Sequence, residues 1–153
     1  MQRHGGLITR DDLAGYAPLW RDPLWSDYRG YRLSTNNPPG GGIMLVEMLN
    51  ILENFDLPAI GHNSAEYLRV VCEAMKRATA DKDRYVGDPA FCDVPVERLT
   101  SKSYAKDMAR EIREGVKADV PRFNSGYESR DTTHVAVVDR DGNCVSMTHS
   151  LGM

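Results

Sequence analysis

Long hydrophobic runs are missing from this sequence. The two longest unbroken apolar stretches, Ile43 to Val46 and Val135 to Val138, hold four residues each, whereas a membrane-spanning helix needs ~20. No segment is therefore built to cross a bilayer as a helix. Basic excess is missing too: 19 Lys and Arg stand against 22 Asp and Glu, for a net charge of −3. That balance lacks the positive footprint of a nucleic-acid-binding protein. Cysteine is scarce. Cys72, Cys92 and Cys144 lie far apart and no Cys-x-x-Cys occurs, so neither a zinc knuckle nor a redox pair is signalled. Three buried or idle thiols are the simplest reading. Residues 1–6 contain no apolar segment of the kind a secretory signal requires. Thirteen glycines and eight prolines are ordinary numbers for 153 residues, which excludes collagen-like and low-complexity chains.

What is present reads as one domain's length of mixed α and β structure, with helices first and a β-hairpin last. Thr9 followed by Asp12 is a capping-box pattern, and it opens a short helix over 10–15 closed by Gly15 and Pro18. Trp20 to Trp25 reads as an extended connector, and Tyr28 to Ser34 as a strand entered by a turn. Asn36-Asn37-Pro38-Pro39-Gly40-Gly41-Gly42 breaks regular structure. It is either a tight loop before a helix or a backbone surface for a ligand, and it lacks the lysine and serine of a phosphate loop. Ile43 to Phe55 is apolar on nearly every side and predicts a buried helix. Asn63-Ser64-Ala65-Glu66 caps a second helix whose apolar stripe is Leu68, Val71, Met75 and Ala78. The other face, with Arg69, Glu73, Lys76 and Arg77, reads as solvated or salt-bridged. Gly87-Asp88-Pro89 is a turn. A third helix spans 103–113, with Tyr104, Met108 and Ile112 on one stripe, and Gly115 ends it. Residues 116–131 form a polar loop. Val135 to Val138, Asp141-Gly142 and Cys144 to Ser150 then predict a hairpin. Two strands alone are marginal, so the hairpin belongs to a larger sheet.

The chemical candidate sits where loop meets strand, at Asp131-Thr132-Thr133-His134. A threonine hydroxyl is a weak nucleophile and needs a base. Cleavage before Thr132 would free an α-amine with a pKa of about 7.7–8.0, close to working pH. Nucleophile and base would then share one residue. By residue type alone, Thr-Thr before a strand is equally explained by β-propensity. A metal site is a separate alternative, with His134 and His149 facing each other across the hairpin and Cys144 nearby. Zinc takes four ligands, or three and a water, and two histidines fall short of that. The acidic stretch from Glu128 to Asp131 is interrupted by Arg130 and carries no weight as a cation site.

Residues 130–150, Arg-Asp-Thr-Thr-His-Val-Ala-Val-Val-Asp-Arg-Asp-Gly-Asn-Cys-Val-Ser-Met-Thr-His-Ser, resemble the processing-site segment of the γ-glutamyltranspeptidases. Upstream, Gly5-Gly6-Leu7-Ile8-Thr9 with Asp12-Leu13 and Tyr16 is similar to that family. So are Asp27-Tyr28-Arg29-Gly30-Tyr31, Pro38-Pro39-Gly40-Gly41-Gly42, Leu49 to Phe55 and Gly87-Asp88-Pro89. The resemblance runs through essentially the whole chain, in order.

The resemblance implies a piece of an N-terminal-nucleophile hydrolase with an α/β/β/α sandwich. Residues 1–131 would be the mostly helical end of a large subunit, and residues 132–153 the first hairpin of a small subunit. The precursor would cleave itself between Asp131 and Thr132. Thr132 would then attack glutathione or another γ-glutamyl or acyl amide and pass the acyl group to water, an amino acid or a peptide. Thr133 follows the nucleophile in the family motif. Ser150 matches a family threonine near it, where a hydroxyl could orient the threonine or its amine. No metal or organic cofactor is implied, and no nucleic-acid partner or membrane span. The partner implied is the rest of the small subunit, and the location periplasmic or extracellular. Gly152 stands where many members carry an asparagine that contacts the glutamyl group, a departure that suits related acylases with other substrates. The family's carboxylate-binding arginine lies upstream of this chain. Its acidic amine-binding residue, paired serines and Gly-Gly oxyanion hole lie beyond Met153. The expectation is an internal piece of a longer enzyme, inactive by itself. A non-catalytic remnant or binding fragment is the other reading.

Overall fold

The computed structural model describes residues 5–120 and 132–150, the last two of these by backbone alone. They fall into two compact units. The first carries α1 (Arg10–Gly15), β1 (Leu24–Tyr28), β2 (Tyr31–Thr35), α2 (Gly42–Leu52), α3 (Leu57–Ile60), α4 (Ala65–Tyr85), α5 (Val96–Leu99) and α6 (Lys102–Arg113). The second is the antiparallel pair β3 (Thr132–Val138) and β4 (Cys144–Ser150). Mixed α and β structure agrees with the sequence reading, and a first hairpin of β1 and β2 precedes α2. Among the described residues no helix is long and apolar enough to cross a membrane.

Local chemistry sets the element ends. Thr9 Oγ1 accepts from the Asp12 backbone N–H at 3.1 Å while Asp12 Oδ2 accepts from the Thr9 N–H at 2.8 Å, closing the capping box of α1. Ser64 and Ser101 cap α4 and α6 by accepting from Tyr67 and Tyr104 N–H groups. The strand expected over Tyr28 to Ser34, entered by a turn, is present as β2, and the connector expected over Trp20 to Trp25 is corrected. Arg29 and Gly30, with φ of 49° and 85°, make a two-residue turn between paired strands, and β1 begins inside the expected connector, at Leu24. Two positive φ values in sequence match the twist of paired strands. Arg29 is held in that conformation from outside the hairpin: its N–H donates to Glu53 Oε1 at 2.6 Å and its guanidinium to the Phe55 carbonyl at 2.7 Å. Lys102 Nζ adds a bond to Glu53 Oε2 at 2.6 Å and another to the Asp27 carbonyl at 2.7 Å.

The core is helical. Ile51 and Phe55 meet Val70 and Ala74 of α4 and Ala105, Ala109 and Ile112 of α6. This corrects the stripe expected on α4. Leu68 and Met75 are about half exposed, and the buried face is Val70, Glu73, Ala74, Arg77 and Ala78. Small residues let α4 approach its neighbours closely, and the charged pair is buried because it partners itself. Arg77 Nη1 donates to Glu73 Oε2 at 2.6 Å, and Arg77 Nη2 to the Val116 carbonyl at 2.8 Å. Glu73 also accepts from Lys76 Nζ at 2.7 Å and the Ala118 N–H at 2.9 Å. Burial opposes the Glu73 charge, but these donors together bring its pKa down to about 2. The thiols are also corrected: Cys72, Cys92 and Cys144 are all free and exposed.

The buried face of α2 holds two polar residues that its apolar pattern hid. Asn50 Nδ2 donates to the Thr100 carbonyl at 2.8 Å. Glu47 is buried with both carboxyl oxygens unpartnered. Asp81 of α4, Arg98 of α5 and Tyr104 of α6 surround it electrostatically, and the Tyr104 hydroxyl donates to Asp81 Oδ2 at 2.5 Å. Burial, then the Asp81 charge, pushes the Glu47 carboxyl up to about 8 against the pull of Arg98. Burial, then the hydrogen bond to Asp81 and its charge, raises the Tyr104 hydroxyl.

These two carboxyls give opposite pH signatures in the intact protein. Glu73 is lowered, so its contribution is complete above the ordinary value of 4.5 and is lost as pH falls toward about 2. Among the described residues, Glu73→Gln leaves Arg77 buried with only the longer ionic contact to Glu111 Oε2, at 3.4 Å, and is expected to cost about 3 kcal/mol at neutral pH. Denaturant titration should show parent and variant converging in acid. Glu47 is raised, so its contribution is complete below 4.5 and is lost as pH rises through about 8. Glu47→Gln is expected to flatten the fall in melting temperature across that window, as followed by circular dichroism.

Candidate functional site

The candidate residues lie on the β3–β4 hairpin, whose turn decides their positions. Asp139 organises it. Its carbonyl accepts from the Gly142 N–H at 3.2 Å, and its N–H donates to the Asn143 carbonyl at 3.0 Å. Its carboxylate accepts from the N–H groups of Asp141 and Asn143, both at 2.9 Å, and from Asn143 Nδ2 at 2.8 Å. Bonds from Asn143 and the turn backbone hold the Asp139 carboxyl below its ordinary range. Gly142 sits at φ 83°. Asp141-Gly142 thus closes a loop with one left-handed residue and is not the central pair of a two-residue turn.

That loop fixes the pairing at Thr132↔Ser150, Thr133↔His149, His134↔Thr148, Val135↔Met147, Ala136↔Ser146, Val137↔Val145 and Val138↔Cys144. Directly opposed residues share a face, and successive ones alternate. One face therefore takes positions 132, 134 and 136 with 146, 148 and 150, all small, hydroxylated or imidazole. The other takes Val135, Val137, Val145 and Met147, each about half exposed or more. Thr132 is the first residue of β3 and is exposed, and Ser150 is its register partner. Thr133 falls at a position of the opposite face. Asp131, Glu128 and Gly152 lie outside the described residues.

The histidines do not face each other. His134 pairs with Thr148, and His149 pairs with Thr133 one step away, so the two occupy positions of alternate faces. The metal alternative fails on that register. The His134 ring is engaged by hydroxyls: Nδ1 lies 2.9 Å from Thr148 Oγ1 and Nε2 lies 3.2 Å from Ser146 Oγ. From sequence, His134 reads as a ligand candidate, as a packed or solvated strand residue, and as part of the Thr-Thr-His motif, with no hydroxyl partners assigned. Alternation alone puts Ser146, Thr148 and Ser150 on one face of β4; that His134 and Thr132 share it follows only from the register.

In the helical unit, Gly40 and Gly42 are consumed by packing. A Cβ on either would collide with Asn36, and one on Gly42 with Thr35 as well. The loop reading of this segment accounts for its glycines. Two open clefts of about 610 and 660 Å³ adjoin it, sharing Arg21, Asn37 and Pro38.

Comparison with known proteins places these residues in a wider setting. The sequence model of the family described as Gamma-glutamyltranspeptidase matches residues 1–153. A glutathione hydrolase proenzyme of Escherichia coli (strain K12) is 46% identical over 156 residues, covering 99% of this chain and 27% of that protein. The crystal structure of Helicobacter pylori gamma-glutamyltranspeptidase aligns at 38% identity with a TM-score of 0.67, over 81% of this chain and 35% of that one. A cephalosporin acylase from Bacillus halodurans aligns at 38% identity and a TM-score of 0.64, over 72% of this chain and 20% of that one. The chain thus spans less than a third of the length of the curated relatives it matches.

The turn geometry has a direct test. At φ 83° a side chain is strained, so Gly142→Ala is expected to destabilise the hairpin by about 1 kcal/mol or more. Faster amide exchange across β3 and β4, measured by mass spectrometry, would register it.

Proposed function

Because the chain belongs to the γ-glutamyltranspeptidase family, we propose that it is the part of a self-processing γ-glutamyl transferase and hydrolase that contains the cleavage site and the nucleophile. The observation that carries this reading is Thr132, exposed at the head of a strand, in a chain matched by the family from end to end. In processing, the Thr132 hydroxyl attacks the carbonyl carbon of Asp131. The Asp131–Thr132 C–N bond breaks, the nitrogen takes the hydroxyl proton, and an ester joins the two residues. Water cleaves the ester and leaves a carboxylate on Asp131 and a free amine and hydroxyl on Thr132.

In turnover that amine accepts the proton from the Thr132 hydroxyl as the oxygen attacks the γ-glutamyl carbonyl of a glutathione-like amide. The leaving amine departs with a proton. Water, or the amino group of an amino acid or peptide, then takes the acyl group from Thr132. Ser150, opposite Thr132 in the register, supplies a hydroxyl near the nucleophile, and Thr133 continues the strand behind it. The remaining layers of an α/β/β/α sandwich, the oxyanion donors and the substrate-carboxylate arginine come from the rest of the protein. The reading brings with it a periplasmic or extracellular site of action. An acyl substrate other than γ-glutamyl is the second reading. It is favoured by Gly152 and by the similarity to a cephalosporin acylase.

In the full-length protein, intact mass is expected to show two chains, the smaller beginning at Thr132. Thr132→Ala should remain one chain and lose activity about 10³-fold or more. A variant that still splits at this bond would overturn the assignment. Turnover of a γ-glutamyl anilide against a longer-chain acyl amide separates the two substrate readings.

A further inference from the structure

The hairpin's polar face contains a hydrogen-bonded chain that the reaction as written does not use. His134 is two residues from Thr132 on the same strand and face. Its two ring nitrogens meet two hydroxyls of the facing strand, Thr148 Oγ1 at 2.9 Å and Ser146 Oγ at 3.2 Å. A neutral imidazole has one donor and one acceptor nitrogen. With both engaged, the ring is pinned: one hydroxyl donates its hydrogen to the ring and the other accepts the ring N–H. Thr148 is the residue this matters for. It lies directly opposite His134 and diagonally across from Thr132. Diagonal neighbours on one face of an antiparallel pair are ~7–8 Å apart at Cα and closer at their side chains. An unrestrained exposed hydroxyl rotates freely. One that donates to the imidazole turns its lone pairs to its neighbour, and one that accepts from the imidazole keeps its hydrogen to donate.

We propose that His134 is a positioning residue for Thr132, acting through Thr148, whose hydroxyl it fixes beside the nucleophile. Ser146 anchors the far side of the ring. The proposal rests on the reading of Thr132 as nucleophile. His134 touches neither substrate nor the reacting atoms. Its role is to hold the Thr148 hydroxyl where it can orient the Thr132 hydroxyl before cleavage and the Thr132 amine after it.

The test uses the full-length protein and compares Thr148→Val, Thr148→Ser, His134→Gln, the double variant His134→Gln with Thr148→Val, and Thr132→Ala. Three quantities are read: the rate of precursor splitting, kcat and KM on a γ-glutamyl anilide, and the melting temperature. Thr148→Val and His134→Gln are each expected to slow splitting and lower kcat about tenfold or more, with KM little changed. Thr148→Ser, which keeps the hydroxyl, should restore most of the rate. The double variant should be no slower than the slower single one, since both remove the same link. Multiplying effects in the double variant would overturn the proposal. So would loss confined to melting temperature and KM, or parental rates in both single variants. Thr132→Ala separates the two layers. If it still splits and turns over, the nucleophile reading falls and this proposal with it. If it is inert while Thr148→Val and His134→Gln behave as parent, only the positioning role falls.

Discussion

The helical unit depends on the ion pair between Glu73 and Arg77. A helix as long as α4 must bury a face against α2 and α6, and on this sequence that face cannot be wholly apolar. Placing the two charges at i and i+4 lets them satisfy each other inside the same helix. Their remaining valences reach the chain just beyond α6, at Val116 and Ala118. Around them Val70, Ala74 and Ala78 stay small, so the neighbouring helices come close. An uncompensated charge in this position would be costly. Mutual compensation turns it into the tie between α4 and the segment leaving α6.

The hairpin obeys a different constraint, the two-residue period of a strand. Its register is set by Asp139, which gathers the backbone donors of its own turn. Once that loop length is fixed, every side chain of β3 and β4 is assigned to a face. His134, Ser146, Thr148 and Ser150 take positions on one face with Thr132, and Val135, Val137, Val145 and Met147 on the other, with Thr133 and His149 at its open end and Val138 and Cys144 at the turn end of the first. Shifting the pairing by one residue would exchange the two sets. The chemistry proposed at Thr132 is therefore as dependent on residues 139–143 as on any residue near it.

Much of this was legible in the sequence where the signal is local. The capping box at Thr9, the Ser64 cap, the Gly115 stop and the terminal hairpin follow from residues within a turn of each other. The buried face of α4 was misread because Leu68 and Met75 look like core by type, while Glu73 and Arg77 look like surface. Only the tertiary partners at Val116 and Ala118 reverse that. Glu47 was hidden for the same reason, sitting within an apolar run whose neighbours on three other helices are invisible to local pattern. The turn entering the strand at Tyr31 was legible, but the paired strand β1 before it was not, because Trp20 to Trp25 with Pro23 reads as a connector; Glu53 and Phe55, far along the chain, hold Arg29 in its left-handed conformation. At the candidate site the segment around Thr132 could be recognised by family resemblance. The face-sharing of His134 with Ser146 and Thr148 needed the loop length, which Asp141-Gly142 alone did not settle.

The closeness in sequence of everything in the hairpin has a consequence for the order of events during synthesis. All its ladder partners lie between Thr132 and Ser150, so no distant segment has to arrive before they can meet. Hairpins form in about 1–10 μs, while a ribosome adds only ~5–20 residues per second. The strand carrying Thr132 can therefore find and lose its partner many thousands of times before the next residue is joined. Alone the pair is marginal, so early pairing is sampled and not locked. Locking waits for whatever covers Val135, Val137, Val145 and Met147. On the reading proposed for Thr132, its neighbourhood would be rehearsed early and become permanent late, so that cleavage would wait on a folded framework able to keep the two pieces together.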